Sequence, residues 1–309
     1  MIYYVVTEEH NYTIEMFLDT WGLSLDSRFE VVPYSIFTNA TNFPAGTYVL
    51  SDLERLTRSE IDRTTQIWEH LTHTGLRVLN HPVRTLRRYE LLRTLFQLGE
   101  NCFNVYRLSE VREPRRFPVL LRPVAEHYIF GGLHRSQDEI DKATRHALRK
   151  GRSLEDVLMI EFCDTSDSVG TFRTYSAFVV AGTVIPRCLY FSRKWKLKQP
   201  DLLDEEMVRE EWEYVALNPH QEWLARIFRL ANVDYGKIDY SLLDGKPQIW
   251  EINTNPILLL PPERYKPVQL PAQQLFADRV TRAFEELDVP SSRGAGFTVV
   301  IPAGWSRAG

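Results

Sequence analysis

Residues 234–256 read Asp234-Tyr-Gly-Lys-Ile-Asp-Tyr-Ser-Leu-Leu-Asp-Gly-Lys-Pro-Gln-Ile-Trp-Glu-Ile-Asn-Thr-Asn-Pro256, and this stretch decides the interpretation of the chain. An Asp-Gly pair at positions 244 and 245 separates two runs rich in apolar residues. Such a pair is typical of a tight turn between antiparallel strands. The sequence therefore predicts a β-hairpin with strands at Tyr240–Leu243 and Pro247–Ile252.

This hairpin would bring three oxygen-bearing side chains together. Glu251 and Asn253 are two residues apart and share one face of the returning strand, and Asp239 lies beside that face at the start of the first strand. Two carboxylates and a carboxamide suit Mg²⁺, which keeps several waters and takes further ligands from substrate phosphates. The simpler alternative is that Asp239 and Asn253 are turn residues and Glu251 is a surface strand residue.

The apolar neighbours of these polar residues favour the metal site over the simpler alternative. Ile238, Trp250 and Ile252 alternate with the polar side chains along the two strands. Because side chains alternate between the two faces of a strand, this pattern leaves the carboxylates together on one side.

The first 80 residues alternate between strand-like and helical patterns. The predicted strands are Ile2–Val6, Phe29–Tyr34, Thr47–Leu50 and Leu76–Leu79, and the predicted helices are Tyr12–Leu23 and Arg58–Thr74. Alternation of this kind indicates a parallel sheet with helical crossovers.

The segment from residue 81 to 165 has a different composition. Between Arg84 and Arg122 there are nine arginines and four glutamates, which indicates either a solvated helix face or a site for a small polyanion. The predicted elements are a helix at Thr85–Leu98, a strand at Phe117–Arg122, a polar loop at Val124–Ser136, a helix at Gln137–Lys150 and a strand at Leu158–Phe162.

A second hairpin is predicted upstream of the first, with strands Phe172–Val180 and Thr183–Phe191 and a turn at Ala181-Gly182. Helices are predicted at Glu205–Ala216, His220–Ala231 and Ala272–Leu287. The last 19 residues, 291–309, contain one apolar stretch and no pattern that places them.

Composition limits the possible functions. The 309 residues carry a net charge of −4, which argues against a general binder of nucleic acids or anionic membranes. The apolar stretches are far shorter than the roughly 20 residues that span a bilayer, and the N-terminal stretch reaches acidic residues too early for a signal peptide. Three cysteines without CxxC spacing fit a reducing compartment, so a cytoplasmic location is expected.

The hairpin motif resembles the magnesium-binding signature of the ATP-grasp superfamily, whose members include D-alanine–D-alanine ligase and glutathione synthetase. Earlier motifs follow in the family order. Residues 117–123, Phe-Pro-Val-Leu-Leu-Arg-Pro, resemble a strand that ends in a phosphate-contacting lysine followed by proline. Gly131 and Gly132 match a mobile loop that closes on the triphosphate. Residues 158–163, Leu-Met-Ile-Glu-Phe-Cys, resemble the hinge strand whose backbone meets adenine.

This resemblance implies an α/β (α+β) ATP-grasp fold in three parts followed by a tail. A Rossmann-like α/β domain would cover residues 1–80, a linker helix with a small ATP-clasping subdomain residues 81–165, and a larger subdomain with the metal site residues 166–290. The resemblance also implies a role for each matched residue. ATP would be bound by Arg122, Gly131, Gly132, Glu161, Phe162, Cys163 and Asp164, with Asp167 as a second candidate for the ribose. Mg²⁺, or Mn²⁺, would be bound by Asp239, Glu251 and Asn253. The reacting groups would be contacted by the catalytic residues Lys237, Arg173 and Arg187.

Four departures from the family pattern bear on the chemistry. Arg122 stands where the family has lysine, and the upstream family lysine is also absent, so that Arg84, Arg87 or Arg88 is left to replace it. Lys237 stands in the place of a family arginine. Where the ligases commonly have a glycine after the motif proline, this chain has Ile257.

The expected activity is that of an ATP- and Mg²⁺-dependent carboxylate–amine ligase acting through an acyl phosphate. Its partners would be ATP, a small carboxylate and an amine acceptor, with no nucleic acid and no membrane, and a homodimer is left open. Two alternatives remain. The first is an ATP-grasp phosphotransferase, which the missing glycine favours. The second is a catalytically silent nucleotide-binding module, and the retained metal-binding residues argue against it.

Overall fold

The structure is a computed structural model that describes residues 1–124, 129–196, 200–288 and 298–300. Its first elements, in chain order, are β1 (Ile2–Val6), α1 (Tyr12–Leu18), β2 (Phe29–Pro33), α2 (Tyr34–Phe37), β3 (Asn42–Pro44), β4 (Thr47–Leu50), α3 (Arg58–His73) and β5 (Arg77–Leu79). The N-terminal sheet has the strand order β2-β1-β4-β5, and all its pairs are parallel. The predicted parallel sheet with helical crossovers is therefore confirmed.

The second group of elements forms a small antiparallel sheet. The group consists of α4 (Arg88–Gln97), β6 (Val105–Arg107), β7 (Val119–Pro123), β8 (Phe130–His134), α5 (Gln137–Arg149) and β9 (Val157–Glu161), and its four strands form the sheet. The strand order is β6-β9-β7-β8.

The predicted loop at Val124–Ser136 is partly wrong, because β8 lies within it. The two glycines at 131 and 132 hide the strand pattern in the sequence, and Gly131 has a φ of 67° that an alternating strand would not show. Pairing with β7 nevertheless holds Phe130 opposite Leu121 and His134 opposite Val119. Residues 125–128 of the predicted loop lie outside the described residues.

The third group forms a large antiparallel sheet of the order β11-β10-β12-β13. Its elements are β10 (Phe172–Val180), β11 (Thr183–Ser192), α6 (Glu205–Leu217), α7 (Gln221–Ala231), β12 (Tyr235–Leu243), β13 (Lys246–Asn253) and α8 (Leu270–Leu287). Both predicted hairpins are present. Residues 298–300 form β14 (Thr298–Val300), which pairs with β3, whereas the rest of the tail lies outside the described residues.

The first strand of the β12–β13 hairpin is longer than the sequence predicts. It begins at Tyr235, so Asp239 lies in the middle of the strand and not at its start. Pairing with β10 extends it, since Tyr235 lies opposite Val180 and Tyr240 opposite Tyr175. A neighbouring strand that is distant in sequence therefore fixes a boundary that local composition does not indicate.

The N-terminal sheet and the large sheet share one apolar core. Tyr4 of β1, Phe178 of β10 and Phe276 of α8 are all buried in it, together with Leu258 and Leu259 from the segment after β13. No helix among the described residues is long and apolar enough to cross a membrane.

The buried arginine of β11 attaches the large sheet to α8. The guanidinium of Arg187 donates to the carbonyl oxygen of Leu258 (2.7 Å) and to Tyr265 Oη (2.9 Å), and it also donates to Gln273 of α8. Glu211 of α6 accepts from the same Gln273 at 3.4 Å. Burial raises the pKa of Glu211 to about 7, although the positive charge of Arg187 acts to lower it.

A single asparagine joins the N-terminal sheet to the large sheet. The amide nitrogen of Asn80 donates to the carbonyl oxygens of Leu50 (3.0 Å) and Tyr235 (2.8 Å). Its amide oxygen accepts from the backbone N–H groups of Asp234 (2.9 Å) and Tyr235 (3.1 Å). Both amide hydrogens and both lone pairs of this fully buried side chain are used.

Replacing Asn80 with glycine tests this junction. Asn80→Gly keeps the positive φ of 64° accessible but leaves buried backbone groups without partners, so unfolding should become easier by about 2–4 kcal/mol. The matched control is Asn232→Gly, because Asn232 also has a positive φ, at 53°, and is exposed. Urea denaturation of both variants checks this, and equal stabilities would contradict the assigned role of Asn80.

The raised pKa of Glu211 predicts a pH-dependent stability. A carboxyl group that holds its proton more tightly in the folded state stabilises the fold below its unfolded pKa, and this contribution is lost as pH rises toward 7. Glu211→Gln should therefore have the stability of the unsubstituted protein near pH 4.5 and exceed it by about 3 kcal/mol at pH 8. Glu213→Gln, at an exposed position of the same helix, should show no such difference in denaturation at the two pH values.

Candidate active site

A cavity of about 340 Å³ lies between the small and large sheets. One wall comes from β7 and β9, which contribute Arg122 and Glu161, and the other from β10, β12 and β13. Apolar and aromatic side chains form much of the remaining lining, among them Leu92, Phe103, Leu120, Ile160, Phe172 and Trp250. A cleft that combines apolar walls with converging polar and charged groups is typical of small-molecule sites.

The pairing of β12 with β13 places four polar side chains on one face of the hairpin, and three of them, Lys237, Asp239 and Glu251, line the cavity, whereas Asn253 does not. Lys237 lies opposite Asn253, and Asp239 lies opposite Glu251. Directly opposed residues of an antiparallel pair project to the same face, so all four share it. The structure therefore brings the three predicted metal ligands together, with Lys237 beside them.

A β-bulge follows these pairs. Asp239 lies opposite Glu251 but Tyr240 lies opposite Ile249, which leaves Trp250 as the extra residue. A bulge re-aims side chains, and here Trp250 lines the cavity together with Glu251. The strict alternation predicted from sequence, with Trp250 on the opposite face from Glu251, is therefore wrong at this position.

Each carboxylate of the metal set contacts a cation. Lys237 Nζ lies 2.9 Å from Asp239 Oδ2, and the hydroxyl of Ser176 on β10 donates to Asp239. Glu251 forms an ion pair with Arg88, and Arg122 Nη2 lies 3.6 Å from its Oε2. Burial and the nearby charge of Arg88 lower the pKa of Arg122 to about 10, and Glu251 counteracts this shift.

The ion pair with Glu251 distinguishes among the three arginines that could replace the missing upstream lysine. Arg88, in the first turn of α4, reaches Glu251 and also donates to the carbonyl oxygen of Val124 at 2.8 Å. Arg84 lies instead beside a different cavity, next to Trp68 and His81. Arg87 occupies the N-cap position of α4.

The donor set fits a hard cation such as Mg²⁺ only if other ligands complete it. Two carboxylates and the amide of Asn253 supply oxygen, which suits this ion. The amide oxygen of Asn253 already accepts from the backbone N–H of Asn255 at 2.8 Å. In the described part of the chain no three His, Cys, Asp or Glu side chains form a metal-binding group. A cation held here would therefore take further ligands from water or from a bound polyanion.

The predicted hinge borders the opposite side of the cavity. Glu161, Phe162 and Cys163 all line it. The carboxylate of Glu161 is turned into the small sheet, where it accepts from Tyr106 Oη (2.7 Å) and from the backbone N–H of Asn104 (3.1 Å). The backbone of the hinge is therefore held in place by its own side chain.

Five other predicted residues lie away from the cavity lining. Arg173 points to the other side of β10, where it pairs with Asp167 (2.7 Å) and Glu210 (2.9 Å). Arg187 is buried against α8, and Asp164 is exposed, where it accepts from Ser166 (2.7 Å). Gly131 and Gly132 belong to β8 at the edge of the small sheet, and neither lines the cavity.

Sequence reasoning missed several residues of the lining. Ser176, Tyr190, Trp195 and Lys196 all border the cavity. Thr174 and Ser176 alternate with larger residues along β10, and this alternation could have indicated their face. Trp195 packs edge-on against Phe162, with ring centroids 5.7 Å apart, a contact between distant segments that no local pattern encodes.

Comparisons with known proteins bear on the fold. No family model and no curated protein matches the sequence. Among solved structures, macrocyclase MdnC of Microcystis aeruginosa MRC, solved with a precursor peptide, matches with a TM-score of 0.50 at 11% identity, over 91% of this chain and 99% of that one. D-alanine–D-alanine ligase of Bacillus anthracis matches with a TM-score of 0.49 at 14% identity, over 92% and 99%.

A third structure, a RimK domain protein of ATP-grasp type from Sphaerobacter thermophilus, matches with a TM-score of 0.48 at 12% identity, over 90% of this chain and 98% of that one. The likeness to macrocyclase MdnC concerns the fold alone, and it extends over nearly the whole length of both chains. The order of the three sheets along the chain agrees with the order of the sequence motifs. This chain therefore has the ATP-grasp fold.

Proposed function

We propose that this protein is an ATP-dependent carboxylate–amine ligase. The observation that carries the proposal is that Asp239 and Glu251 line a cavity whose opposite border is the Glu161–Cys163 hinge, with Asn253 on the same face of the hairpin. A nucleotide spanning this cavity would meet an apolar region at one end and charged groups at the other. The ligase activity also agrees with the names of the structures that share the fold.

The adenine would lie at the hinge. Glu161 and Cys163 would contact it through backbone groups, as the resemblance implies, and Phe162 would shape the apolar region with Trp195. Trp250, placed by the bulge and stacked on Phe103 with ring centroids 5.2 Å apart, offers a broad apolar surface for the base. Aromatic surface of this kind favours a flat heterocycle.

The phosphates would lie over the metal set. Arg88, Arg122 and Lys237 surround this end with positive charge, and Lys196 lines the same cavity. Arginine binds phosphate oxygens through two parallel N–H groups, so Arg122 can replace a lysine here with a different geometry. Mg²⁺ bound by Asp239, Glu251 and Asn253 would supply neutralising charge on the phosphate oxygens.

The ion pairs at the metal set imply that nucleotide and metal bind together. Glu251 is engaged by Arg88 and Arg122, and Asp239 by Lys237. A phosphate group would attract these cations and leave both carboxylates available to a metal ion. A metal ion that binds without nucleotide would have to displace Arg88, Arg122 and Lys237 from the carboxylates while no phosphate is present to pair with them.

In the proposed reaction, a substrate carboxylate attacks the γ-phosphorus of ATP, and the bond to the bridging oxygen breaks, so that ADP leaves and an acyl phosphate forms. An amine then attacks the acyl carbon and displaces phosphate, which gives the amide. The chain contributes mainly position and charge. Arg122 and Lys237 would stabilise the phosphoryl oxygens, and the apolar lining would exclude water. Arg173 and Arg187 lie outside the cavity lining, so we assign them structural roles.

A phosphotransferase remains the second candidate, because Ile257 occupies the position after Pro256 where ligases commonly have glycine. Ile257 is 39% exposed, whereas Leu258 and Leu259 are fully buried in the shared core. Product analysis separates the candidates: ADP with free phosphate and an amide indicates a ligase, and a stable phosphorylated product indicates a kinase. A silent nucleotide-binding module would turn over no substrate.

Joint stabilisation by nucleotide and metal is the first expected result. At 100 times its Kd, a non-hydrolysable ATP analogue with Mg²⁺ should add about 2.7 kcal/mol of stability and raise the Tm by about 5 °C. Mg²⁺ alone should have little effect because the carboxylates are paired with cations, and chelation should reduce the effect of the nucleotide. The absence of any shift at millimolar analogue, with or without metal, would refute the proposed function.

Neutralising Glu251 tests the metal set directly. Glu251→Gln keeps the size of the side chain but removes one charge, so ATP turnover should fall by on the order of 10²–10³. Nucleotide affinity should change much less, because the adenine end of the cavity is left intact. The matched control is Glu222→Gln, at an exposed position of α7. Release of ADP and phosphate is measured for both variants, together with their Tm values.

Two results would contradict the assignment of Glu251. Full turnover in Glu251→Gln would remove this residue from the mechanism. A large loss of Tm without a loss of turnover per folded molecule would mean that the carboxylate serves only to neutralise Arg88 and Arg122.

A further inference from the structure

Two cysteines that are far apart in sequence meet at the border of the cavity. Cys102 Sγ lies 3.4 Å from Cys163 Sγ, and the residues are 61 positions apart. Cys102 is exposed, whereas Cys163 is buried and lines the cavity beside Glu161 and Phe162. A disulfide bond is about 2.05 Å long, so an approach of roughly 1.4 Å would join the two sulfur atoms.

The two sulfur atoms belong to segments that different parts of the fold hold in place. The backbone N–H of Cys102 donates to Gln248 of β13 at 2.8 Å. The side chain of the preceding residue, Asn101, donates to the carbonyl oxygen of Ile249 (3.0 Å) and accepts from its N–H (2.8 Å). Cys102 itself is thus fixed to the edge strand of the large sheet, although Asn104, two residues later, is hydrogen-bonded to Glu161, and Cys163 follows the hinge strand of the small sheet.

We propose that Cys102 and Cys163 are a redox-modifiable pair that a peroxide converts into a reversible intramolecular disulfide. The exposed position of Cys102 makes it accessible to the oxidant, and the buried Cys163 is its nearest thiol partner. Cys188, the third cysteine, is buried in β11 and does not line the cavity. The chain therefore has one close pair of thiols with an exposed member, and a separate buried thiol that serves as an internal reference.

The proposed reaction is balanced with hydrogen peroxide as the oxidant. The sulfur of Cys102 attacks one peroxide oxygen, the O–O bond breaks, and a sulfenic acid and one water form. The sulfur of Cys163 then displaces the hydroxyl group, which forms the S–S bond and a second water. The two thiols lose two electrons and two protons, and the peroxide accepts both. Burial raises the pKa of Cys163 to about 12, which agrees with Cys102 reacting first.

Disulfide formation would tie the hinge to β13 and displace a residue of the cavity wall. If the proposed function holds, nucleotide affinity should fall on the order of tenfold in the oxidised protein, a typical coupling between two sites, and should recover on reduction. This consequence rests on the proposed function, whereas the disulfide itself does not.

The test treats the full chain with hydrogen peroxide and maps its thiols. In the oxidised protein, free thiols counted after denaturation should drop from three to one, the mass should fall by about 2 Da, and non-reducing peptide mapping should find Cys102 joined to Cys163. A thiol reductant should reverse all three changes. Cys102→Ser should form no such link and should keep its nucleotide affinity after peroxide treatment, whereas Cys188→Ala should behave as the unsubstituted chain does.

Three results would overturn the proposal: three free thiols after oxidation, a link that involves Cys188, or irreversible oxidation of Cys102 without a link. An oxidised protein that contains the disulfide but binds the ATP analogue as tightly as the reduced one would overturn the effect on the cavity. Failure of the reduced protein to bind any nucleotide would instead count against the proposed function, because the thiol map is obtained without nucleotide.

Discussion

The register between β12 and β13 is the constraint on which the cavity depends. With Asp239 opposite Glu251 and Lys237 opposite Asn253, four polar side chains share one face. A slip of one residue would turn the polar side chains of the affected strand to the other face, because side chains alternate with a period of two. β10 fixes β12 from its other side over residues 235–240. The bulge at Trp250, just before Glu251, then adds an aromatic surface next to the carboxylates without disturbing their pairing.

Charge balance explains why this face suits a polyanion. Three cations, Arg88, Arg122 and Lys237, accompany the two carboxylates in a partly buried space. Mutually repelling guanidinium groups are costly to bury, and the lowered pKa of Arg122 expresses that cost. Glu251 offsets it within the protein, and phosphate groups would offset it further. The same carboxylate thus neutralises arginines in one state and, under the proposed function, contacts a metal ion in another.

Local sequence signals predicted the parts of this fold that turns and alternation define. The hairpin at Asp244-Gly245 follows from two residues with positive φ, 51° and 75°, which this pair readily adopts. Features that depend on distant partners were not predictable. β8 owes its strand conformation to β7, Trp250 reaches the cavity through a bulge, and Arg173 and Arg187 find carboxylate or carbonyl partners on helices and loops far along the chain. An arginine is a suitable residue type for binding phosphate, but its type alone does not indicate which face of a strand its side chain occupies.

The connections between the sheets indicate which part of the cavity can change its width. Asn80, the shared apolar core and α8 hold the N-terminal and large sheets together, and Asn255 after β13 accepts from Tyr4 (2.9 Å) and Thr13 (2.6 Å) of the N-terminal part. The small sheet contacts the rest through a smaller apolar cluster that includes Leu92, Phe103 and Cys163 and packs against Trp250. Because fewer buried contacts resist its displacement, the small sheet is the wall that we expect to move when a ligand enters.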